Sequence, residues 1–293
     1  MNAQLTFVHA LSPLHAGTGQ GVGVIDLPIA REKATGLPFL PGSSLKGTLR
    51  SRCSAKECAQ VFGTDNADAA PDNNYASSAQ FSDQRLLLLP IRSLAGTFAW
   101  VTSPYVLHRL ARDIEDAQIT PPKVRVPDIR ETDACAIVAN TQCKIQLETK
   151  VYLEDLDLNA HTNEDFTEWT KWISKRVFPN DTVWQQMLLE RACIVHDDVF
   201  NFMIDTATEI TARIKLREDA KTVQDGGLWY EEALPTETIL SGIVLVTPMK
   251  ASGITSEEVF KLLNGLTGKT LQFGGKATVG RGMCRVRLTE EGA

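Results

Sequence analysis

The sequence predicts an α+β domain from three observations. Short aliphatic or aromatic runs, LTFVHAL from Leu5, RLLLLPI from Arg85, TFAWV from Thr97 and ILSGIVLV from Ile239, have the length and composition of strands. Stretches beginning near Ser43 and Asn163 instead space their apolar residues as helices do, and Thr255 with Glu258 forms a capping box. Between Lys221 and Tyr230, Asp225-Gly226-Gly227 separates two β-prone runs, a hairpin signature.

In chain order, the first strand places Leu5, Phe7, His9 and Leu11 on one face. Gly17, Gly19, Gly21 and Gly23 follow at alternate positions, which removes the side chains that would hold another backbone at a distance. His15 and Asp26 bracket that run. In LPGSSLKGTLRSR, Ser43 or Ser44 is the expected N-cap and Leu45, Leu49 and Cys53 the buried stripe. The opposite face carries Ser43, Lys46, Gly47 and Arg50. Backbone N–H groups, two hydroxyls, two cations and the opening at Gly47 make an anion site suited to phosphate. Blander readings exist: helix starts with Ser and Lys are common, an Asp before Leu27-Pro28 can merely shape a turn, and His15 can be a packed imidazole.

Residues 63–80 are small, polar and acidic and read as an exposed loop or partly disordered insertion, and residues 111–133, with three prolines and no period, as an irregular insertion. Residues 163–192 read as helices broken at Pro179, with Phe166, Trp169, Trp172 and Ile173 as core. CIVHDDVFNFMI supplies a strand and helix boundary, and ITARIKL a strand. Asp197 and Asp198 are expected to point apart in a strand, which weakens a metal pair, and His196 is expected to be structural. The hairpin at 221–230 would carry Trp229 and Tyr230 near its tip, where they could stack on bases, and Glu231 and Glu232 behind them. Gly265 is the expected stop of the helix begun at Thr255. GLTGKT imitates a P-loop but lacks the glycine required at Leu263 and follows a helix, so nucleotide hydrolysis is rejected. Beyond it Gly274, Gly275, Gly280 and Gly282, with Lys276 and Arg281, form a second glycine-rich basic loop before a final strand.

At 293 residues, 43% hydrophobic and 23% charged, the chain has an ordinary globular composition. Six scattered cysteines without a C-x-x-C spacing indicate neither zinc nor a disulfide framework, so reduced buried thiols are expected. No secretory signal or membrane-length apolar run is visible, and a cytoplasmic location with no membrane partner is expected. A net charge of −6 argues against a generic nucleic-acid binder, yet the charge is segregated. Residues 153–170 hold six acids and no base, while residues 269–287 hold five bases and no acid. That pattern fits a specific RNA groove.

Together HAGTGQGVGVIDLPIARE, GSSLKGTLR, LLLLPIRSLAGTFAWVTSP, AKTVQDGGLWYEE and QFGGKATVGRG resemble the RAMP superfamily of CRISPR proteins, and within it the repeated backbone subunit of type III-B (Cmr) effector complexes. The resemblance implies a modified RRM or ferredoxin-like palm, mainly residues 1–60 and 193–293, with a thumb hairpin at 220–232 and an inserted helical subdomain sharing 61–192 with further palm strands. It implies that guide CRISPR RNA lies on Ser43, Ser44, Lys46, Gly47, Arg50, Gly274, Gly275, Lys276 and Arg281, with Thr222, Trp229 and Tyr230 acting from the thumb. Copies would stack head to tail along the guide beside other Cmr subunits, and complementary target RNA would be cut. Asp26 matches the family's slicing aspartate and would bind a divalent metal, Mg2+ or Mn2+, with His15 and Glu231 as secondary catalytic residues. Two alternatives remain: a non-catalytic guide-binding filament subunit, and a protein-only scaffold whose glycine loops serve subunit packing.

Overall fold

The computed structural model describes residues 2–19, 21, 24–54, 57–64, 76–217, 222–247 and 253–289. Its strands are β1 (Asn2–Ala10), β2 (Phe39–Leu40), β3 (Ala79–Phe81), β4 (Gln84–Arg92), β5 (Phe98–Thr102), β6 (Ala134–Val138), β7 (Gln146–Leu147), β8 (Lys150–Leu153), β9 (Leu156–Asn163), β10 (Ala192–Val195), β11 (Glu209–Leu216), β12 (Val223–Ala233), β13 (Ile239–Val246), β14 (Leu271–Gln272) and β15 (Met283–Leu288). Its helices are α1 (Gly42–Arg52), α2 (Cys58–Phe62), α3 (Pro104–Asp116), α4 (Glu164–Val177), α5 (Thr182–Arg191), α6 (Asp197–Thr206) and α7 (Ser256–Thr267).

The palm is the β-α-β-β-α-β series β1, α1, β4, β13, α7, β15, whose strands lie side by side as β15-β1-β13-β4, all antiparallel. That is the ferredoxin-like arrangement the resemblance implies. β1 is buried on both faces from Gln4 to Ala10 and does not alternate between core and solvent. Phe7 meets Trp172 of α4 edge-on at 6.5 Å, and His9 meets Phe178 and Trp184, so the helical insertion covers the face carrying Phe7 and His9.

Residues 93–238 separate the neighbouring palm strands β4 and β13. β4 serves both parts of the molecule: Arg85, Leu86 and Leu88 pair with β13, whereas Leu89 to Arg92 pair with β5, from which the sheet runs on through β10-β6-β9-β8-β7. The palm share of the C-terminal third thus begins at β13, because residues 193–238 hold β10, α6 and the thumb.

Several expectations are corrected. The segment expected to be irregular begins inside α3, whose Ser103 hydroxyl caps Val106 N and whose Pro104 opens the first turn. Val106, Leu107, Leu110 and Ile114 form its buried stripe. Asp197 and Asp198 lie in the first turn of α6, where acids complement the dipole. The Thr255 capping box forms, but α7 runs past Gly265 to Thr267. Cys53 and Cys58 are bonded as a disulfide just after α1, while Cys135, Cys193 and Cys284 are buried free thiols and Cys143 is a half-buried one. Burial pushes the Cys135 and Cys284 thiols up to about 12, which leaves them unreactive. Most of the polar loop at 63–80 lies outside the described residues.

The thumb is the two-stranded sheet β11-β12, spanning 209–233 where 220–232 was expected. Its reversal falls between Arg217 and Thr222, with Arg217 N donating to Thr222 O at 2.8 Å. Asp225-Gly226-Gly227 lies within β12 and forms a bulge, since the pairing slips between Ile214↔Leu228 and Leu216↔Val223. Gly226 has a positive φ of 70°, and a Cβ at Gly227 would stand 2.7 Å from Gln224 O. Trp229 and Tyr230 consequently sit opposite Arg213 and Ala212, away from the reversal at 217–222. Among the described residues no helix is long and apolar enough to cross a membrane.

Candidate functional site

The described residues between His15 and Arg31 form a strap beside the thumb strand β12. It is held by isolated bridges, Leu14↔Leu234, Gly17↔Ile29 and Leu27↔Glu231, and by Arg31, whose guanidinium donates to Glu232 Oε1 at 2.6 Å. The other Glu232 oxygen accepts from Ile29 N at 3.0 Å, which makes Glu232 a clasp between strap and thumb. Arg31, which also donates to Gly36 O and Ile204 O, is therefore committed internally.

The strap, the first half of α1 and the C-terminal glycine loop converge on one groove of about 550 Å³, lined among others by His15, Gly17, Ser44, Gly47, Thr48 and Gly275. Leu45 and Leu49 are fully buried beneath α1, each contributing about 1.5–3 kcal/mol by burial. α1 is capped differently from expectation: Pro41 is the N-cap, and Gly42 N donates to Asp83 Oδ1 at 2.9 Å, so one of its free N–H groups already has an anion. The groove-facing residues are Ser44, Gly47 and Thr48, one position round from the expected face, while Arg50 turns to donate to Gly63 O at 3.0 Å. Ser43 is exposed and Lys46 half-buried on the neighbouring surface of the helix.

The glycines divide into two kinds. A Cβ on Gly274 would fall 2.1 Å from His15 O, and one on Gly17 2.5 Å from His15 Nε2. Gly275 N also donates to His15 O at 3.0 Å. What comes close to these glycines is the protein's own His15. A Cβ on Gly19 or Gly47, by contrast, would meet nothing within 4 Å among the described residues. Gly23 lies outside the described residues.

Beside the groove lies a second recess of about 430 Å³, lined by Gly21, Asp26, Leu27, Gly226, Leu228, Trp229 and Lys276. Asp26 is exposed, and its Oδ2 accepts from Tyr230 N at 2.7 Å, while Leu27 N donates to Tyr230 O and Glu232 N to Leu27 O. Asp26 thus rides on β12 like an added strand residue. His15 lines the groove and Asp26 the recess, and Leu27 belongs to both. His15 Nδ1 lies 2.6 Å from Glu232 O; a carbonyl only accepts, so Nδ1 carries a proton.

Glu231, expected as a catalytic carboxylate, is 2% exposed and fully engaged. It accepts from Trp229 Nε1 at 2.7 Å and Lys276 Nζ at 2.8 Å on one oxygen, and from Arg213 Nε at 3.3 Å on the other. Burial alone would raise its pKa, but the hydrogen bonds from Lys276, Trp229 and Arg213 outweigh it and hold the carboxyl down at about 2. So held, the carboxylate is surrounded by donors and anchors Trp229, Lys276 and Arg213. Arg281 is buried, donates to Thr211 Oγ1 at 3.2 Å, and leaves Nη1 without a hydrogen-bond partner among the described residues. Thr222 is exposed at the thumb's reversal.

Among the described residues, no group of three or more His, Cys, Asp or Glu is gathered to hold a metal ion. Asp26 fits a divalent ion as a single ligand, the remainder of the shell being outside the protein.

Residues 7–285 match the RAMP superfamily. The chain belongs to that superfamily. It is 35% identical over 297 residues to the CRISPR system Cmr endoribonuclease Cmr4 of Pyrococcus furiosus, covering 99% of this chain and 97% of the relative. It is 24% identical to the CMR subunit Cmr4 of Saccharolobus solfataricus over 96% of this chain and 94% of the relative. In structure it is similar to oligomeric Cmr4 from Pyrococcus furiosus, with a TM-score of 0.75, 29% identity and 99% of each chain covered.

In this RAMP chain, Arg213, Glu232, Asp83 and Thr48 hold or line the site without having been singled out as site residues. Alternation along ITARIKL puts Thr211 and Arg213 on one face and Ile210, Ala212 and Ile214 on the other, the signal that would have picked out Arg213.

Proposed function

We propose that this RAMP chain binds guide RNA as a repeated subunit of a type III-B CRISPR effector complex and cleaves the complementary target RNA. The observation that carries the reading is the abutment of a backbone-lined groove and a charged recess across Leu27. Full-length similarity to a relative named an endoribonuclease supports it.

The groove suits a sugar-phosphate backbone: hydroxyls of Ser44 and Thr48 and the openings at Gly47 and Gly19 admit close approach without reading bases. Lys46, half-buried on the neighbouring surface of α1, supplies positive charge beside it. In the recess, a target 2′-oxygen attacks the adjacent phosphorus. The P–O5′ bond breaks, the 2′-hydroxyl proton departs and a proton reaches the 5′-oxygen. A 2′,3′-cyclic phosphate and a 5′-hydroxyl result, with no water consumed. Asp26 is the residue that would hold Mg2+ or Mn2+, which when bound offsets the negative charge of the phosphate. The thumb's role is positional: it displaces a target nucleotide so that attacking and leaving oxygens align.

Packing of Gly17, Gly274 and Gly275 on His15 favours a scaffold, whereas the open Gly19 and Gly47 favour a ligand. Co-purification from cells expressing a guide separates the two. Retained guide RNA and target cleavage leaving 5′-hydroxyl ends are expected; a nucleic-acid-free protein, or products with 5′-phosphates, overturn the reading.

A further inference from the structure

Three donors converge on Glu231, and of these Trp229 and Lys276 also line the Asp26 recess. We propose that Lys276 is a catalytic residue of that recess, its ammonium set by Glu231 against the non-bridging oxygens of the scissile phosphate. This rests on the cleavage reading and adds to it a cation supplied by the chain itself. Asp26 and a phosphodiester are both anionic, and a phosphate lodged beside Asp26 needs positive charge.

The backbone prepares Lys276 for that task. Its φ of 66° is left-handed, a region side-chain-bearing residues seldom enter, and it follows Gly274 and Gly275, which are locked against His15. Arg281 N and Val279 N both donate to Lys276 O, closing the loop behind it. The ammonium stands 2.8 Å from Glu231 and 5.8 Å from the Trp229 ring centre, with a third of its side chain exposed. A lysine ordinarily samples many rotamers; here its position is set before substrate arrives, the condition under which a charge lowers a barrier. Arg213 shares the Glu231 carboxylate, so that one anion is divided between two cations and does not by itself neutralise Lys276. Lys276 gives up no proton in the step. The 2′-O–P bond forms and the P–O5′ bond breaks as before, and the ammonium only stabilises charge gathering on the phosphate. Glu231 acts through Lys276 and is a positioning residue.

The test uses the guide-loaded complex carrying Lys276→Met or Lys276→Arg, with single-turnover cleavage at saturating target measured apart from target affinity and guide retention. Lys276→Met is expected to slow cleavage by on the order of 10²–10³-fold while affinity and guide retention stay within about threefold, and Lys276→Arg to recover part of the rate. Weakened RNA binding with an unchanged saturated rate makes Lys276 a guide contact and overturns the proposal, as does no effect on either. If Lys276→Met does not assemble, Glu231→Gln decides: a slower saturated rate at unchanged affinity is expected, and an unchanged rate overturns. Asp26→Asn run in parallel keeps the two readings apart. If it stops cleavage while Lys276→Met cuts normally, only the lysine assignment fails; if both cut normally, the cleavage reading fails too.

Discussion

The groove at α1 and the recess at β12 share Leu27, yet they are built from different materials. The groove is lined by backbone, glycine and hydroxyl groups around Ser44, Gly47 and Gly275. The recess is lined by Asp26, Lys276 and Trp229, with the Glu231 carboxylate tying the last two in place. Neutral surfaces tolerate any sequence along a repeating backbone; a fixed array of charges acts at one phosphate. The difference teaches that, on the proposed function, holding and cutting are separable in this chain, and mutations can test the separation.

The largest effect is expected from Asp26→Asn, which keeps an oxygen for Tyr230 N and removes the charge. Cleavage should fall on the order of 10³-fold with guide retention unchanged, as measured in single-turnover assays. Guide loss in step with activity would break the division between groove and recess.

Next is Glu231→Gln, read in acid. The carboxyl titrates near 2 in the folded protein against 4.5 when unperturbed. Its contribution, up to about 3 kcal/mol, is therefore fully present above pH 4.5 and is lost as pH falls from there through about 2. Thermal melts against pH should show the wild type losing stability in that window and Glu231→Gln a flatter profile. Parallel curves would mean that Glu231 is not the anchor described here.

Two glycines sharpen the contrast within the groove. Gly274→Ala would thrust a Cβ 2.1 Å from His15 O at a positive φ, and should destabilise the protein by about 1–3 kcal/mol. Gly47→Ala meets nothing within 4 Å and should stabilise α1 by about 1 kcal/mol, yet weaken guide binding by narrowing the groove. Melting temperature and guide affinity should move in opposite directions for Gly47→Ala alone. The smallest effect is on ionic strength: Lys46→Ala should lower the magnitude of the log–log salt slope of guide binding by about 0.7. Arg50→Ala should leave that slope unchanged, because Arg50 is turned to Gly63 O.

Much of the palm was legible because its strands and helix starts are local patterns: LTFVHAL, RLLLLPI, ILSGIVLV and the Thr255 capping box all form as read. α3 was missed although Ser103-Pro104 and the spacing of Val106, Leu107, Leu110 and Ile114 announce it, because the prolines after Thr120 coloured the whole stretch. The thumb was misregistered for a different reason. A bulge and a turn use the same Asp-Gly-Gly chemistry, and only pairing with β11 tells them apart. The glycine runs correctly signalled close approach, but local sequence does not say whether the approaching group is a ligand or His15. Glu231 and Lys276 lie 45 positions apart, and their ion pair depends on the fold that brings the glycine loop to the thumb.

Asp26 is fastened to β12 through Tyr230, on the same strand that continues toward the thumb's reversal. On the proposed function this ties the cleaving aspartate to the thumb strand, so that a displacement of β12 carries Asp26 with it. In a complex that parts its target strand with this thumb, each cut would fall at a constant offset from the point of parting, whatever letters the target spells.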